Sequence, residues 1–155
     1  MSPKTKIYLD GVIAGIIGAL IVVIVFLFLD AATRLPLYTP TVLGAGLFIG
    51  GHDIGATETA QVSLNLSIMY TWVHFTVFIV LGLTVAQFVL LIKKNLSLGS
   101  SILLLFVILE SCFIATWFVL DRAVLDKLSW TMVVVANALA AIGMASYLSL
   151  RIRAI

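Results

Sequence analysis

Charged residues are scarce in this sequence. They make up 10% of its 155 positions, and 63% of the positions are hydrophobic. Typical soluble domains carry about 25% charged residues. Together with a mean hydropathy of +1.24, this composition excludes a water-soluble domain. It predicts an all-α chain in which residues 1–155 form a single integral membrane domain, because helices satisfy their own backbone hydrogen bonds in hydrocarbon.

Cysteine and histidine are also scarce, which limits metal and redox chemistry. The single cysteine, Cys112, lies in an apolar run, so it cannot form an internal disulfide and a packing role is favoured. The two histidines, His52 and His74, match no metal-binding spacing with their acidic neighbours. The sequence has no nucleophile elbow, phosphate-binding loop or HExxH motif. We therefore predict no catalytic residue, no metal site and no enzymatic activity.

Four apolar runs are close to the roughly 20 residues that cross a bilayer. They predict transmembrane helices at residues 12–29, 68–92, 101–120 and 130–150. The connections between the later runs are short and polar, which favours a four-transmembrane-helix up-and-down bundle with adjacent helices antiparallel.

A shorter apolar segment, residues 40–49, lies between the first two runs. Thr39 and Pro40 are typical of a helix start, with the threonine as the capping hydroxyl, and Gly50 is typical of a helix end. The segment is too short to span a bilayer. We therefore predict a short interfacial or re-entrant helix there.

The basic residues indicate orientation in a membrane rather than nucleic-acid binding, because they lie at the ends of apolar runs and the net charge is only +2. Under the positive-inside rule, the side richer in lysine and arginine faces the cytoplasm. We predict a multi-pass protein of the bacterial cytoplasmic (inner) membrane, with both termini cytoplasmic and no nucleic-acid partner. The residues assigned to the cytoplasmic side are Lys4, Lys6, Lys93, Lys94, Arg151 and Arg153.

Small residues mark the faces on which helices are expected to pack. Gly11, Gly15 and Gly18 share one face of the first helix, and Ala136 and Ala140 flank Asn137 in the last. Small side chains let helices approach closely in lipid, so we predict packing contacts at these positions.

Three polar residues lie inside apolar runs and are expected to form an intramembrane polar layer: His74, Glu110 and Asn137. A charged side chain at this depth costs about 2.5–3.5 kcal/mol, so each calls for a partner or a purpose. Hydrogen bonds between helices are the favoured role. The alternatives are a haem or chlorin ligand at His74, and a proton path through Glu110 and His74. We expect no cofactor.

Several features of the sequence form a recognisable layout. They are the glycine-rich first helix that ends at Asp30, the pair His74–Phe75, and Glu110. Two longer segments belong to it as well, PLYTPTVLGAGLFIGG at 36–51 and VVANALAA at 134–141. This layout resembles a family of small bacterial four-helix integral membrane proteins to which no activity is assigned. The resemblance implies the four-helix fold and no particular activity.

These features lead us to expect an accessory or structural subunit of a larger bacterial membrane complex of the energy-converting kind, respiratory or photosynthetic. Its partners would be other integral membrane subunits and lipids. The alternative is a self-contained cofactor-binding or small transport protein that uses His74 and Glu110.

Overall fold

A computed structural model describes residues 3–50, 62–91, 97–120 and 122–152. Of these described residues 87% are helical, and none lies in a strand. The all-α class predicted from the apolar runs is therefore confirmed. The helices are α1 (Pro3–Thr33), α2 (Tyr38–Phe48), α3 (Leu64–Leu91), α4 (Leu98–Thr116), α5 (Arg122–Leu125) and α6 (Trp130–Ile152). Four residues used in the sequence argument lie outside the described part of the chain, namely His52, Lys93, Lys94 and Arg153.

Helices α1, α3, α4 and α6 are long and apolar enough to cross a membrane. This finding is consistent with a multi-pass membrane protein. Each of the four contains most of one predicted run, but the helix ends differ from the sequence prediction.

Helix α1 starts well before residue 12, at Pro3. Proline suits the first helical position, where its missing N–H would have no intrahelical partner. Helix α4 ends at Thr116, earlier than predicted, although the apolar run continues. The N–H groups of Trp117 and Phe118 bond to carbonyls three residues back, so the chain tightens into a 3₁₀-type turn after α4.

The four long helices pack in the order α3, α1, α6, α4. Helix α1 contacts both α3 and α6, α4 contacts α6, and α2 packs on α3. Among the described residues, no extended contact joins α3 to α4. Hydrogen bonds and ring contacts between paired positions show that α1 is antiparallel to α3 and α6, and that α4 is antiparallel to α6. The arrangement is therefore open on the side between α3 and α4.

Glycines bring the backbones of α1 and α3 into direct contact. A Cβ added to Gly82 of α3 would lie 2.7 Å from the Gly15 nitrogen and 2.9 Å from the Gly15 Cα. A Cβ added to Gly15 would lie 2.7 Å from the Ile79 Cα, and Gly11 meets the same stretch of α3. These distances are too short for non-bonded carbon atoms, so only glycine fits here.

Gly18 lies in a further contact of α1, and two alanines of α6 are buried. Gly18 faces Phe78 of α3 and Met144 of α6, so the glycine face of α1 touches two helices. Ala136 and Ala140 are completely buried. Helix α1 is thus the central helix of the described arrangement.

We expect Gly82→Ala to lower the thermal unfolding temperature in detergent. Alanine favours a helix by about 1 kcal/mol over glycine, but its methyl group would strike the α1 backbone, and such overpacking costs about 1–3 kcal/mol. Gly99→Ala is the matched control, because a Cβ there meets only the Ser97 Oγ, at 3.9 Å. A Gly82→Ala protein that unfolds no earlier than the wild type would contradict the backbone contact.

Candidate functional site

A lateral cleft lies between α3 and α4, with a volume of about 440 Å³. Helices α1, α2, α3, α4 and α6 all contribute lining residues. Most of these residues are aliphatic or aromatic. The polar members of the lining are Tyr70, His74, Cys112, Thr116 and Asn137. In a bilayer this cleft would open towards lipid, because it lies on the side where two spanning helices do not meet.

A smaller cavity of about 100 Å³ lies beside the cleft, between α1, α2 and α3. Asp30, Thr39 and Thr71 are among its polar lining residues. Tyr70 and His74 line both the cavity and the cleft. These two side chains therefore stand where the two spaces adjoin.

His74 is bound to the backbone of α1. Its Nε2 lies 3.3 Å from the carbonyl oxygen of Ala19, which can only accept, so Nε2 carries the proton in this bond. The imidazole also packs against Phe78 at 4.7 Å and Tyr70 at 6.0 Å between ring centroids. The iron of a haem, or the magnesium of a chlorin, could bind the Nδ1 atom of His74. It could bind Nε2 only after the hydrogen bond to Ala19 is broken.

Glu110 and Asn137 form a separate pair. The Asn137 Nδ2 donates to the Glu110 Oε1 at 3.0 Å and joins α6 to α4. Among the described residues, no hydrogen bond connects His74 to either of them. The three residues of the predicted polar layer are thus divided between an α3–α1 contact and an α6–α4 contact.

Asp30 is a buried acid whose role the sequence pattern does not predict. Only 1% of its surface is exposed. Its Oδ2 accepts the Thr39 backbone N–H at 2.7 Å, and its Oδ1 accepts the Thr39 hydroxyl at 2.6 Å. The last turns of α1 therefore cap the first turn of α2, where a carboxylate also interacts favourably with the helix dipole.

This contact corrects the predicted start of the short helix. Thr39 was expected to be the capping residue and Pro40 the first helical residue, but α2 begins two residues before Pro40, at Tyr38. The residue before the helix is Leu37, which has a φ of 67° and provides no side-chain cap. The Asp30 carboxylate replaces a local cap, and the Thr39 hydroxyl donates to Asp30 instead of accepting from the helix.

Helix α2 is also tied to α3. The Thr41 Oγ1 lies 2.9 Å from the Ser67 Oγ and accepts the Ser63 N–H at 3.2 Å. Gly44 brings the α2 backbone close to Leu66, with no room for a Cβ. The short helix is therefore held from both sides, over the end of the cleft and the small cavity.

No protein-family profile matches the chain, and no curated protein or solved structure matches it either. Among the described residues, no group of three or more histidine, cysteine, aspartate or glutamate side chains could hold a metal ion.

We expect Asp30→Ala to destabilise the protein by about 1–3 kcal/mol, the range for a lost cap and for charge-assisted hydrogen bonds. The substitution leaves the buried N–H and hydroxyl of Thr39 without their acceptor. Thermal unfolding in detergent measures the effect, with Asp126→Ala as the control because Asp126 is exposed. Equal unfolding temperatures for the two variants would show that Asp30 does not anchor α2.

Proposed function

We propose that the protein is an accessory integral membrane subunit, and that a helix of a partner subunit packs against α4. The observation that carries this proposal is the position of Glu110. Its carboxyl group accepts one hydrogen bond, from Asn137, and it has no other partner among the described residues. The residue is only partly buried. A carboxyl group that reaches the lipid surface of a spanning helix is costly, and a donor on a second subunit would offset that cost.

The outward face of α4 supports the same proposal. Leu103, Val107 and Ile114 are 63%, 52% and 51% exposed. Their spacings of four and seven residues place them on one side of the helix, and Glu110 lies between them in sequence at helical spacing. Helix α4 has α6 as its only extended helical contact in the described part of the chain. This stripe is therefore available to a partner helix.

The proposed setting is the bacterial inner membrane, with the chain crossing four times as an up-and-down bundle and both termini in the cytoplasm. The antiparallel helix pairs support it, and so does the excess of basic residues in the sequence segments assigned to the cytoplasmic side. Arg151 and Asp10 meet at 3.5 Å near that end. At the other end, Arg34 donates to the Lys127 carbonyl.

Helix α2 would lie at the outer interface. It has only 11 residues, about 16 Å of helix, which is half the thickness of a bilayer core. It contacts three other helices, α1, α3 and α5, and these contacts would keep it against the bundle.

Affinity purification from native membranes in a mild detergent tests the proposed partnership. We expect a stoichiometric integral membrane protein to co-purify with the wild-type chain. Glu110→Gln should lower its recovery by about tenfold or more, because a charged hydrogen-bonding group contributes about 1.5–3 kcal/mol and 1.4 kcal/mol corresponds to about tenfold in affinity. The glutamine carbonyl can still accept from Asn137, so the unfolding temperature should remain close to that of the wild type.

Two leucine variants serve as a matched pair in the same experiment. Leu103→Ala, in the proposed contact, should weaken recovery of the partner, whereas Leu139→Ala, at an exposed position of α6, should not. A wild-type chain that purifies alone, or a Glu110→Gln chain that retains its partner fully, would contradict the proposal.

A further inference from the structure

The Tyr70 hydroxyl makes no hydrogen bond to any described residue, although Tyr70 lines both the cleft and the small cavity. The hydroxyls of Thr71, Thr76 and Thr84 on the same helix each donate to a carbonyl one turn back. A tyrosine ring carries its hydroxyl too far from its own backbone for that bond. In a non-aqueous cleft an unpaired hydroxyl is unfavourable, so this group is suited to a bound molecule.

The Tyr70 hydroxyl has some exposed surface, and its residue lines both spaces. Every fully buried polar side-chain atom in the described part of the chain has a hydrogen-bond partner. An unpaired hydroxyl therefore cannot be completely enclosed by protein. The same argument applies to the Asn137 side-chain oxygen, which also has no partner among the described residues and belongs to a residue of the cleft lining.

The lining of the cleft defines the chemistry of a ligand. No charged residue is among its lining residues, so a charged molecule would have no counter-ion there. Five aromatic side chains contribute to the lining, and such rings stack well on flat ligands. They are Phe26, Tyr70, His74, Phe78 and Phe113. The volume of about 440 Å³ lies within the range of about 300–1,000 Å³ usual for small-molecule sites.

From these observations we propose that the cleft binds an uncharged, lipid-soluble molecule whose head is a flat ring bearing carbonyl oxygens, the chemistry of a membrane quinone. The Tyr70 hydroxyl donates to a carbonyl of the ring. The aliphatic side chains of α3 and α4 at the lateral opening contact the apolar tail. This site does not depend on the partner contact proposed for α4, because the stripe on α4 and the cleft lie on different faces of that helix.

Thermal unfolding with a fully substituted benzoquinone that carries a decyl tail tests the proposal, since full substitution prevents addition of the Cys112 thiol to the ring. A ligand that binds only the folded state raises the unfolding temperature in a saturable manner. We expect this rise with the quinone and none with 1-decanol at the same concentration, which has a tail and no ring.

Tyr70→Phe tests the hydrogen bond to the quinone head group without changing the contacts to its tail. Because the Tyr70 hydroxyl has no partner within the protein, the variant should unfold at the wild-type temperature without ligand. It should bind the quinone about tenfold more weakly, which corresponds to the loss of one hydrogen bond. Tyr8→Phe, at an exposed tyrosine outside the cleft, should bind like the wild type.

A second pair of variants tests the location. Val77 lines the cleft and is 44% exposed, whereas Val80, on the same helix and 55% exposed, does not line it. Val77→Trp should abolish the quinone-dependent rise, and Val80→Trp should leave it unchanged. The proposal is overturned if the quinone gives no saturable rise, if 1-decanol gives an equal one, or if Tyr70→Phe or Val77→Trp binds like the wild type.

Discussion

The arrangement of this protein depends on how helices can associate when both sides of every contact are apolar. In hydrocarbon no hydrophobic gain favours one helix surface over another, so close packing and a few hydrogen bonds decide which helices meet. Here the decisive contact is the glycine face of α1, where Gly15 and Gly82 bring two backbones together. The His74 bond to Ala19 lies one to two turns along the same pair of helices and fixes it further.

The central position of α1 determines what remains uncovered. Because α1 lies between α3 and α6, α4 packs mainly on α6 in the described part of the chain, and the side between α3 and α4 stays open. The lateral cleft follows from that opening. Glu110 lies on another face of α4, which stays uncovered because the extended contact of α4 among the described residues is with α6. Asp30 and Thr41 then hold α2 over one end of the two cavities. The packing order thus leaves two surfaces uncovered. The outward face of α4 is the proposed partner contact, and the cleft between α3 and α4 is the proposed ligand site.

Much of the fold could be predicted because hydropathy and small residues act locally along the chain. The four apolar runs, the short apolar segment and the glycine face of α1 all have counterparts in the structure. The contact between Asp30 and Thr39 could not be predicted from periodicity, because it requires the chain to turn back between two helices. The partner of His74 is a backbone carbonyl, which no side-chain pattern indicates. The cleft depends on a missing contact between α3 and α4, and sequence spacing carries no information about that.

The central claim is that four helices cross a membrane with the chain ends on one side, and thiol accessibility in intact cells tests it most directly. Single cysteines would be placed at exposed positions in a Cys112→Ser background. The account predicts that a membrane-impermeant reagent labels positions 49 and 126 in intact cells, and labels positions 5 and 100 only after the membrane is permeabilised. Labelling of position 100 in intact cells, or protection of position 49, would contradict it.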